Sequence, residues 1–276
     1  VRLHKEWFDF SQTKADGGDI RFACKDQPLA YQIEEWNAAE GLARLWVLIP
    51  TIKGNDRQEL NVYWGKPDAL SESSGSAVFN ASGGYVTVMH MDAALTDELG
   101  TLTPTNAGTT ASAGIIGESR HFDKGKGIKG GSHVTQYPFS DDPFTFEGWF
   151  RAEAEAAGSH MLYYGRYANR YNGKTGDGNE VTISIGSPPS LGWASDGPGG
   201  AHSTNALALG SWTHVAATYD DGTSRIYVDG QLAGSRYHKA AMSVQPDVCM
   251  DLGGLRGGYY SFAGDIDEVR VSTVAR

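Results

Sequence analysis

The stretch GSWTHVAATYDDGTSRIYVDGQLAGS, residues 210–235, decides the fold class. It contains segments in which apolar and polar residues alternate, separated by the turn sequence DDGT at residues 220–223. Asp-Gly supplies the positive backbone torsions that a tight hairpin turn needs, and a second Asp-Gly follows at residues 229–230. The pattern therefore predicts two consecutive antiparallel β-hairpins.

Outward from this stretch, short runs rich in Val, Ile, Thr, Phe, Tyr and Trp recur between Gly, Asp, Asn and Ser, and helix signals are almost absent. This pattern is typical of an antiparallel β-sandwich. The chain of 276 residues can form one large or two ordinary domains. Because a Ser- and Gly-rich stretch occupies residues 66–84, we predict a first β module at 1–70, a linker at 71–84 and a second module at 85–276.

The charge of the chain excludes two classes of partner. Its 23 basic and 33 acidic residues give a net charge of -10. Nucleic acids and anionic membrane surfaces are bound by an excess of Lys and Arg, so neither is expected as a partner. Since no apolar run reaches the length of a transmembrane helix, we also expect no membrane insertion of this fragment.

Residues 210–235, followed by FAGDIDEVRVSTVAR at 262–276, resemble the second half of a laminin-G-like module of the concanavalin A-like lectin/glucanase group. The shared motifs are GSWTHVA, YD, YVDG and GDIDEVR, and the runs FTFEGWFRA (144–152) and GESRHFD (117–123) match two earlier strands. The resemblance covers about residues 85–276. It implies a jelly-roll sandwich of two antiparallel sheets. Many such modules bind carbohydrate, often with calcium, whereas others bind proteins or hold neighbouring domains.

Residues 8–36 and 45–71 resemble an uncharacterised β domain that often precedes laminin-G-like modules in large secreted or envelope bacterial proteins. Some of those proteins are fused to ExbB/TolQ-type proton channels, and others carry glycoside hydrolases. The resemblance implies an extracellular or periplasmic bacterial protein in which other domains of the same polypeptide are partners. The family's first strand is not seen here, so the first module is predicted to be a small β-sandwich that lacks it.

The last strand-like run, residues 264–272, raises the question of a metal site. Alternation places Asp267 on the same face as Val269 and Val271, and a buried carboxylate is costly unless it is paired, hydrogen-bonded or bound to a metal. The resemblance places Asp123 nearby, in a region where many family members hold calcium. We therefore predict a structural calcium ion held by Asp123 and Asp267. The alternative is that Asp267 accepts backbone N–H groups or pairs with an arginine.

Aromatic, basic and Gly-rich segments are the candidates for ligand binding. Sugars present flat C–H faces that stack on aromatic rings and hydroxyls that pair with polar side chains, and long loops commonly carry binding. By the topology of the resembling family, these segments can lie near one rim of the sandwich. The predicted ligand-binding residues are Tyr163, Tyr164, Arg166, Trp193, His202, Arg256, Tyr259 and Tyr260.

No catalytic arrangement is evident in the sequence, so we expect a non-enzymatic module. The Glu-x-Asp-x-x-Glu cluster of retaining glucanases of this wider fold is missing, and Glu147 has no second carboxylate at a suitable gap. The predicted function is non-catalytic, lectin-like binding of a poly- or oligosaccharide. The alternative is a protein–protein interaction or architectural domain of an envelope complex.

Overall fold

The computed structural model describes residues 1–131, 136–138, 142–153, 156, 158–165, 180–186, 190–195, 200–237, 249–254 and 260–276. The chain divides into two compact units, which we call unit 1 (Val1–Gly83) and unit 2 (Gly84–Arg276). In the described part of the chain, no helix is long and apolar enough to cross a lipid bilayer.

Unit 1 consists of two three-stranded antiparallel sheets. Its strands are β1 (Arg2–His4), β2 (Arg21–Cys24), β3 (Gln27–Leu29), β4 (Tyr31–Asn37), β5 (Leu42–Val47) and β6 (Asn61–Tyr63). One sheet has the order β1-β5-β4 and the other β3-β2-β6. Lys25 and Asp26 adopt positive φ angles of 49° and 63° and form the tight turn between β2 and β3. The core of the unit contains Leu3, Phe8, Ile20, Phe22, Tyr31, Ala43 and Leu45.

The sequence predicts a linker at residues 71–84, and the structure describes the secondary structure of this segment. It contains a short helix, α1 (Gly75–Val78), and a 3-10 helix (Ala81–Gly83). The backbone N–H of Ser74 donates to the carbonyl of Tyr31 over 2.9 Å, and that of Ile33 donates to the hydroxyl of Ser73 over 2.8 Å. Val78 is buried. Ser73 and Ser74 hydrogen-bond to the backbone of β4, so this part of the segment lies against the strand.

The described residues of unit 2 form an eight-stranded and a seven-stranded antiparallel sheet. In the eight-stranded sheet the order is β19-β18-β17-β12-β21-β10-β9, and β7 also pairs with β21. These strands are β7 (Tyr85–Met89), β9 (Thr110–Ala113), β10 (Glu118–Phe122), β12 (Phe144–Ala152), β17 (Thr213–Asp220), β18 (Thr223–Val228), β19 (Gln231–Tyr237) and β21 (Gly264–Ser272).

The seven-stranded sheet has the order β16-β15-β14-β13-β20-β11-β8. Its strands are β8 (Thr105–Ala107), β11 (Gly127–Lys129), β13 (His160–Gly165), β14 (Glu180–Ile185), β15 (Ser190–Ser195), β16 (His202–Ala206) and β20 (Cys249–Leu252). One core cluster contains residues of both sheets, including Phe146 and Val215 of the eight-stranded sheet and Leu162 and Ile183 of the seven-stranded sheet. Unit 2 is therefore a β-sandwich, as predicted.

The two hairpins predicted at residues 210–235 are confirmed. Asp220 pairs with Thr223 across the first turn, where Asp221 and Gly222 have φ angles of 42° and 76°. The second hairpin turns at residues 229–230, where both φ angles are again positive. These torsions are the ones that Asp-Gly adopts at low cost.

A bulge in β21 changes the faces predicted for its residues. The register of its ladder to β12 shifts by one residue within the strand, and Glu268 has a φ of 51°. As a result Ile266 and Val269, three positions apart, both belong to the core. Asp267 therefore does not share a face with Val269, contrary to the prediction from alternation, because the extra residue at the bulge interrupts the period of two.

Candidate functional site

Four residues line up across the seven-stranded sheet. His160 on β13 lies opposite Ser184 on β14, Ser184 lies opposite Gly192 on β15, and Gly192 lies opposite His202 on β16. Residues directly opposite each other in antiparallel strands project to the same face. The neighbours of Ser184, which are Ile183 and Ile185, point into the core. These four residues, which we call the outer row, therefore lie on the face of the sheet that points away from the core.

The outer row ends in a stacked aromatic pair. The ring of Tyr260 lies 4.6 Å from the ring of His160, centroid to centroid, with an angle of 9° between the planes. The backbone N–H of His160 donates to the carbonyl of Tyr260 over 2.8 Å, which fixes the two backbones together. Tyr260 has a φ of 52°, and 54% of its surface is exposed. A strained backbone position of this kind persists only where the surrounding contacts determine it.

His160 is electrically neutral at physiological pH. Burial lowers the pKa of its imidazole to about 4. Its Nδ1 atom is buried and has no hydrogen-bond partner among the residues that the structure describes. The ring that supports Tyr260 therefore acts as a flat, uncharged surface over the physiological pH range.

The other end of the outer row depends on a close approach of His202 to Gly192. A Cβ atom on Gly192 would lie 2.4 Å from Nδ1 of His202, which is closer than a side chain tolerates. The absence of a side chain at Gly192 lets the imidazole lie against the backbone of β15. His202 itself is exposed. It therefore offers a polar ring on the same face as the Tyr260 stack.

The structure describes the side chains of only some of the predicted ligand-binding residues. His202 lies in the outer row, and Tyr260 stacks on its first member. Tyr163 and Tyr164 lie on β13 and Trp193 lies on β15, but their side chains are outside the described part of the structure. The remaining predictions, Arg166, Arg256 and Tyr259, are outside the described residues.

Sequence reasoning missed His160 and Ser184. Ser184 alternates with two apolar residues in ISI at residues 183–185, whereas His160 is followed by the two consecutive core residues Met161 and Leu162, where the β13 ladder shifts its register. Alternation could have assigned Ser184 to the outer face. The pairing of His160 with Ser184 and its stacking against Tyr260 depend on strand register and on a contact about a hundred residues away, and no local signal encodes either.

The two predicted metal ligands have different surroundings. Asp267 is fully buried, and its carboxylate accepts the backbone N–H groups of Ile115, Ile116 and Glu268 over 2.7, 3.3 and 2.9 Å. Burial and the charge of Glu268 raise the pKa of Asp267 to about 7. The hydrogen-bonded alternative for Asp267 is therefore present in the structure.

Asp123 lies just beyond the end of β10. The last pair of the β10–β21 ladder joins Phe122 to Gly264, so Asp123 and Asp267 diverge along the strands from that pair. The carboxylate of Asp123 is largely exposed and lies 3.7 Å from Nε2 of His121. Calcium binding by Asp123 and Asp267 stays a prediction.

Glu147 is hydrogen-bonded to His214. Its carboxylate lies 3.4 Å from Nε2 of His214. Burial raises the pKa of Glu147, but the hydrogen bond to His214 and the charge of Arg270 outweigh burial and leave the pKa below its usual value. A carboxyl group that acts as a general acid near neutral pH needs the opposite shift. Glu147 is thus suited to holding β12 and β17 together.

Unit 2 is thus a two-sheet β-sandwich whose seven-stranded sheet presents the half-exposed ring of Tyr260, stacked on the buried ring of His160. The family model described as "Concanavalin A-like lectin/glucanases superfamily" matches residues 126–276. The chain therefore belongs to this superfamily. A domain of unknown function, DUF2341, matches residues 16–92, which confirms the predicted order of the two domains.

Solved structures with the same fold share little sequence with the chain. Domain 4 of the extracellular arabinanase AbnA from Geobacillus stearothermophilus, solved with arabinotriose, has a TM-score of 0.53 at 20% identity, covering 69% of this chain and 93% of that domain. The binding domain of Paraclostridial Mosquitocidal Protein 1 has a TM-score of 0.54 at 13% identity, covering 70% of this chain and 50% of that one.

A sialidase from Trypanosoma rangeli also shares the fold, with a TM-score of 0.53 at 18% identity. The match covers 70% of this chain but only 31% of the sialidase. A comparison with curated protein sequences found no match. At these identities the likeness establishes the β-sandwich fold alone.

Proposed function

We propose that unit 2 is a non-catalytic carbohydrate-binding module whose ligand lies along the outer row of the seven-stranded sheet. The observation that carries this proposal is the half-exposed ring of Tyr260, backed by the neutral ring of His160. A ring held in this way offers a flat apolar surface to a sugar at little cost in side-chain entropy. The arabinanase domain solved with arabinotriose has the same fold, which supports the class of ligand.

The length of the outer row favours an oligosaccharide over a single sugar. From His160 to His202 the row crosses three gaps between neighbouring strands, which is about 14 Å at the usual strand spacing. Among the described residues, Ser184 and Gly192 occupy the outer row between its two ends, and neither has a bulky side chain. A ligand that stacks on Tyr260 and reaches His202 must therefore be longer than one sugar ring.

We further propose that the protein acts outside the cytoplasm, where polysaccharides are the available targets. The fold neighbour from Geobacillus stearothermophilus belongs to an enzyme described as extracellular, which supports this location. In this role the module would hold the larger protein on a polysaccharide, while chemistry is left to other domains.

The test is a glycan-array screen of the chain, followed by titration of arabinotriose and of each array-positive glycan. Tyr260→Ala removes the stacking ring and should weaken binding by about thirtyfold, as expected for a central aromatic contact worth about 2 kcal/mol. Tyr237→Ala is the matched control, because Tyr237 is an exposed tyrosine on β19 of the other sheet. Equal affinities of wild type and Tyr260→Ala would refute the site. A folded chain that binds no glycan would favour the protein-interaction alternative.

A further inference from the structure

Unit 1 contains a groove that the proposed function of unit 2 does not use. The groove has a volume of about 520 Å³ and lies at the end of strand β6, where it is lined by Tyr63 and Trp64. The other lining residues are Asp19, Arg21 of β2 and members of the segment at residues 66–72. Its volume falls within the range typical of small-molecule sites, about 300–1,000 Å³.

Arg21 fixes the segment that lines the groove. Its guanidinium donates to the carbonyl of Leu70 over 2.5 Å and to the hydroxyl of Tyr31 over 3.0 Å. It also forms an ion pair with Glu72 at 3.1 Å. Arg21 therefore connects residues 66–72 both to β2 and to Tyr31 in the core of unit 1.

Asp19 and Lys14 fix the same segment from a second side. The carboxylate of Asp19 accepts the backbone N–H of Lys14 over 2.8 Å and that of Gly65 over 2.7 Å, while the ammonium of Lys14 donates to the carbonyl of Ala69 over 2.9 Å. Although burial raises the pKa of Asp19, these backbone hydrogen bonds lower it below its usual value. The groove is therefore preformed, which reduces the entropy lost when a ligand binds.

Two aromatic rings are presented in the groove. Tyr63 is 50% exposed and Trp64 is 40% exposed. The ring of Trp64 is held by Phe8, at a centroid distance of 4.9 Å, and by a hydrogen bond of 3.2 Å from its Nε1 to Oε1 of Gln12. Large aromatic side chains that are exposed at a concave surface and held in one orientation indicate a binding site.

A hydrogen-bond donor and an acceptor accompany the rings. Lys66 and Asp68 line the groove, and neither side chain makes a hydrogen bond or an ion pair within the part of the chain that the structure describes. Arg21 and Asp19, by contrast, are fully engaged in holding the groove together. The groove thus offers two apolar rings, one cationic donor and one anionic acceptor.

We propose that this groove is a second saccharide site, which binds a neutral oligosaccharide through stacking on Tyr63 and Trp64. Hydroxyl groups of the sugar would donate to Asp68 and accept from Lys66. The groove contains two basic and three acidic side chains, and the whole chain has a net charge of -10, so a polyanionic glycan is disfavoured. The site is independent of the outer row in unit 2.

The test follows the indole N–H resonance of Trp64 in the complete chain by nuclear magnetic resonance, with Trp64→Phe used to assign it. The probes are xylotriose, cellotriose, mannotriose and arabinotriose. We expect at least one probe to shift this resonance, and Tyr63→Ala and Lys66→Ala to weaken that binding by about tenfold or more. Tyr237→Ala, an exposed tyrosine in unit 2, is the control and should leave it unchanged.

The outcomes separate this site from the one in unit 2. Binding at Trp64 that survives Tyr260→Ala and is weakened by Tyr63→Ala supports the groove, whatever happens at the outer row. Saccharide binding that Tyr260→Ala weakens and Tyr63→Ala does not would support unit 2 alone and overturn the groove site. If none of the four probes shifts the Trp64 resonance, the saccharide site is also overturned, and the exposed rings are then assigned to contacts with a protein.

Discussion

His160 should make unit 2 less stable in acid, and His160→Phe should remove this effect. Phenylalanine keeps a planar ring against Tyr260, cannot take a proton, and removes the buried Nδ1 atom. The pKa of His160 is about 4 in the folded state and near 6.5 in the unfolded state, so folding favours the neutral imidazole. The stability that depends on it is fully present above about pH 6.5 and is lost as the pH falls through about 4.

The size of the effect follows from the two pKa values. The difference between an unfolded pKa near 6.5 and a folded pKa of about 4 corresponds to about 3 kcal/mol at 1.36 kcal/mol per unit. Between about pH 7.5 and about pH 4.5, roughly 2.5 kcal/mol of this should be lost. For a unit of this size, a loss of that amount lowers the Tm by about 5–10 °C.

The assay is urea unfolding of wild type and His160→Phe at both pH values, because comparing the two proteins cancels the other titrating groups. We expect the free energy of unfolding of the wild type to fall by roughly 2.5 kcal/mol more than that of the variant. His202→Gln removes an exposed histidine of the same row and is the control. If wild type and His160→Phe lose the same stability in acid, the burial of His160 does not govern this effect.

Three further predictions concern β21. The pKa of Asp267 is raised to about 7 by burial and by Glu268, so the stability that its protonated form supplies is fully present below about pH 4 and lost as the pH rises through about 7. Urea unfolding should show this loss in wild type and not in Asp267→Asn. If Asp123 and Asp267 hold the predicted calcium ion, calcium should raise the Tm of wild type and not that of Asp267→Asn, whereas equal values with calcium and with chelator would leave Asp267 with its three backbone donors alone. Gly264→Ala should cost about 3 kcal/mol or more, since Gly264 has a φ of 135° and a Cβ there would lie 2.2 Å from the carbonyl oxygen of Arg151. Gly230→Ala, with a φ of 76° and open space around it, should cost only about 1–2 kcal/mol, and equal costs from thermal unfolding would contradict the steric argument.

The sequence predicts those features of the fold that depend on local chemistry. The hairpin at residues 220–223 follows from the turn preference of Asp-Gly, and the sandwich follows from the period of two along the strands. The bulge at Glu268 has no such signal, because glutamate has no preference for a positive φ and adopts one here through its tertiary surroundings. The one extra residue at this bulge places Asp267 on the opposite face from the one predicted.

The candidate site was predictable only in part. Tyr260 and His202 were selected because aromatic and polar residues beside glycines suit a binding loop, and the structure places both on the outer row or against it. His160 was not selected, since its importance comes from the register of four strands and from its contact with Tyr260. In the same way, the groove of unit 1 depends on how Arg21 and Asp19 hold a segment about fifty residues away. Long-range contacts of this kind leave no local pattern.

The most direct test of the central claim is a crystal structure of the chain with an oligosaccharide selected by the array. We predict electron density for a sugar ring stacked on the exposed side of Tyr260, with the ligand continuing along the outer row toward His202. Density for the sugar on the eight-stranded sheet, or in unit 1 alone, would contradict the assignment of carbohydrate binding to the outer row.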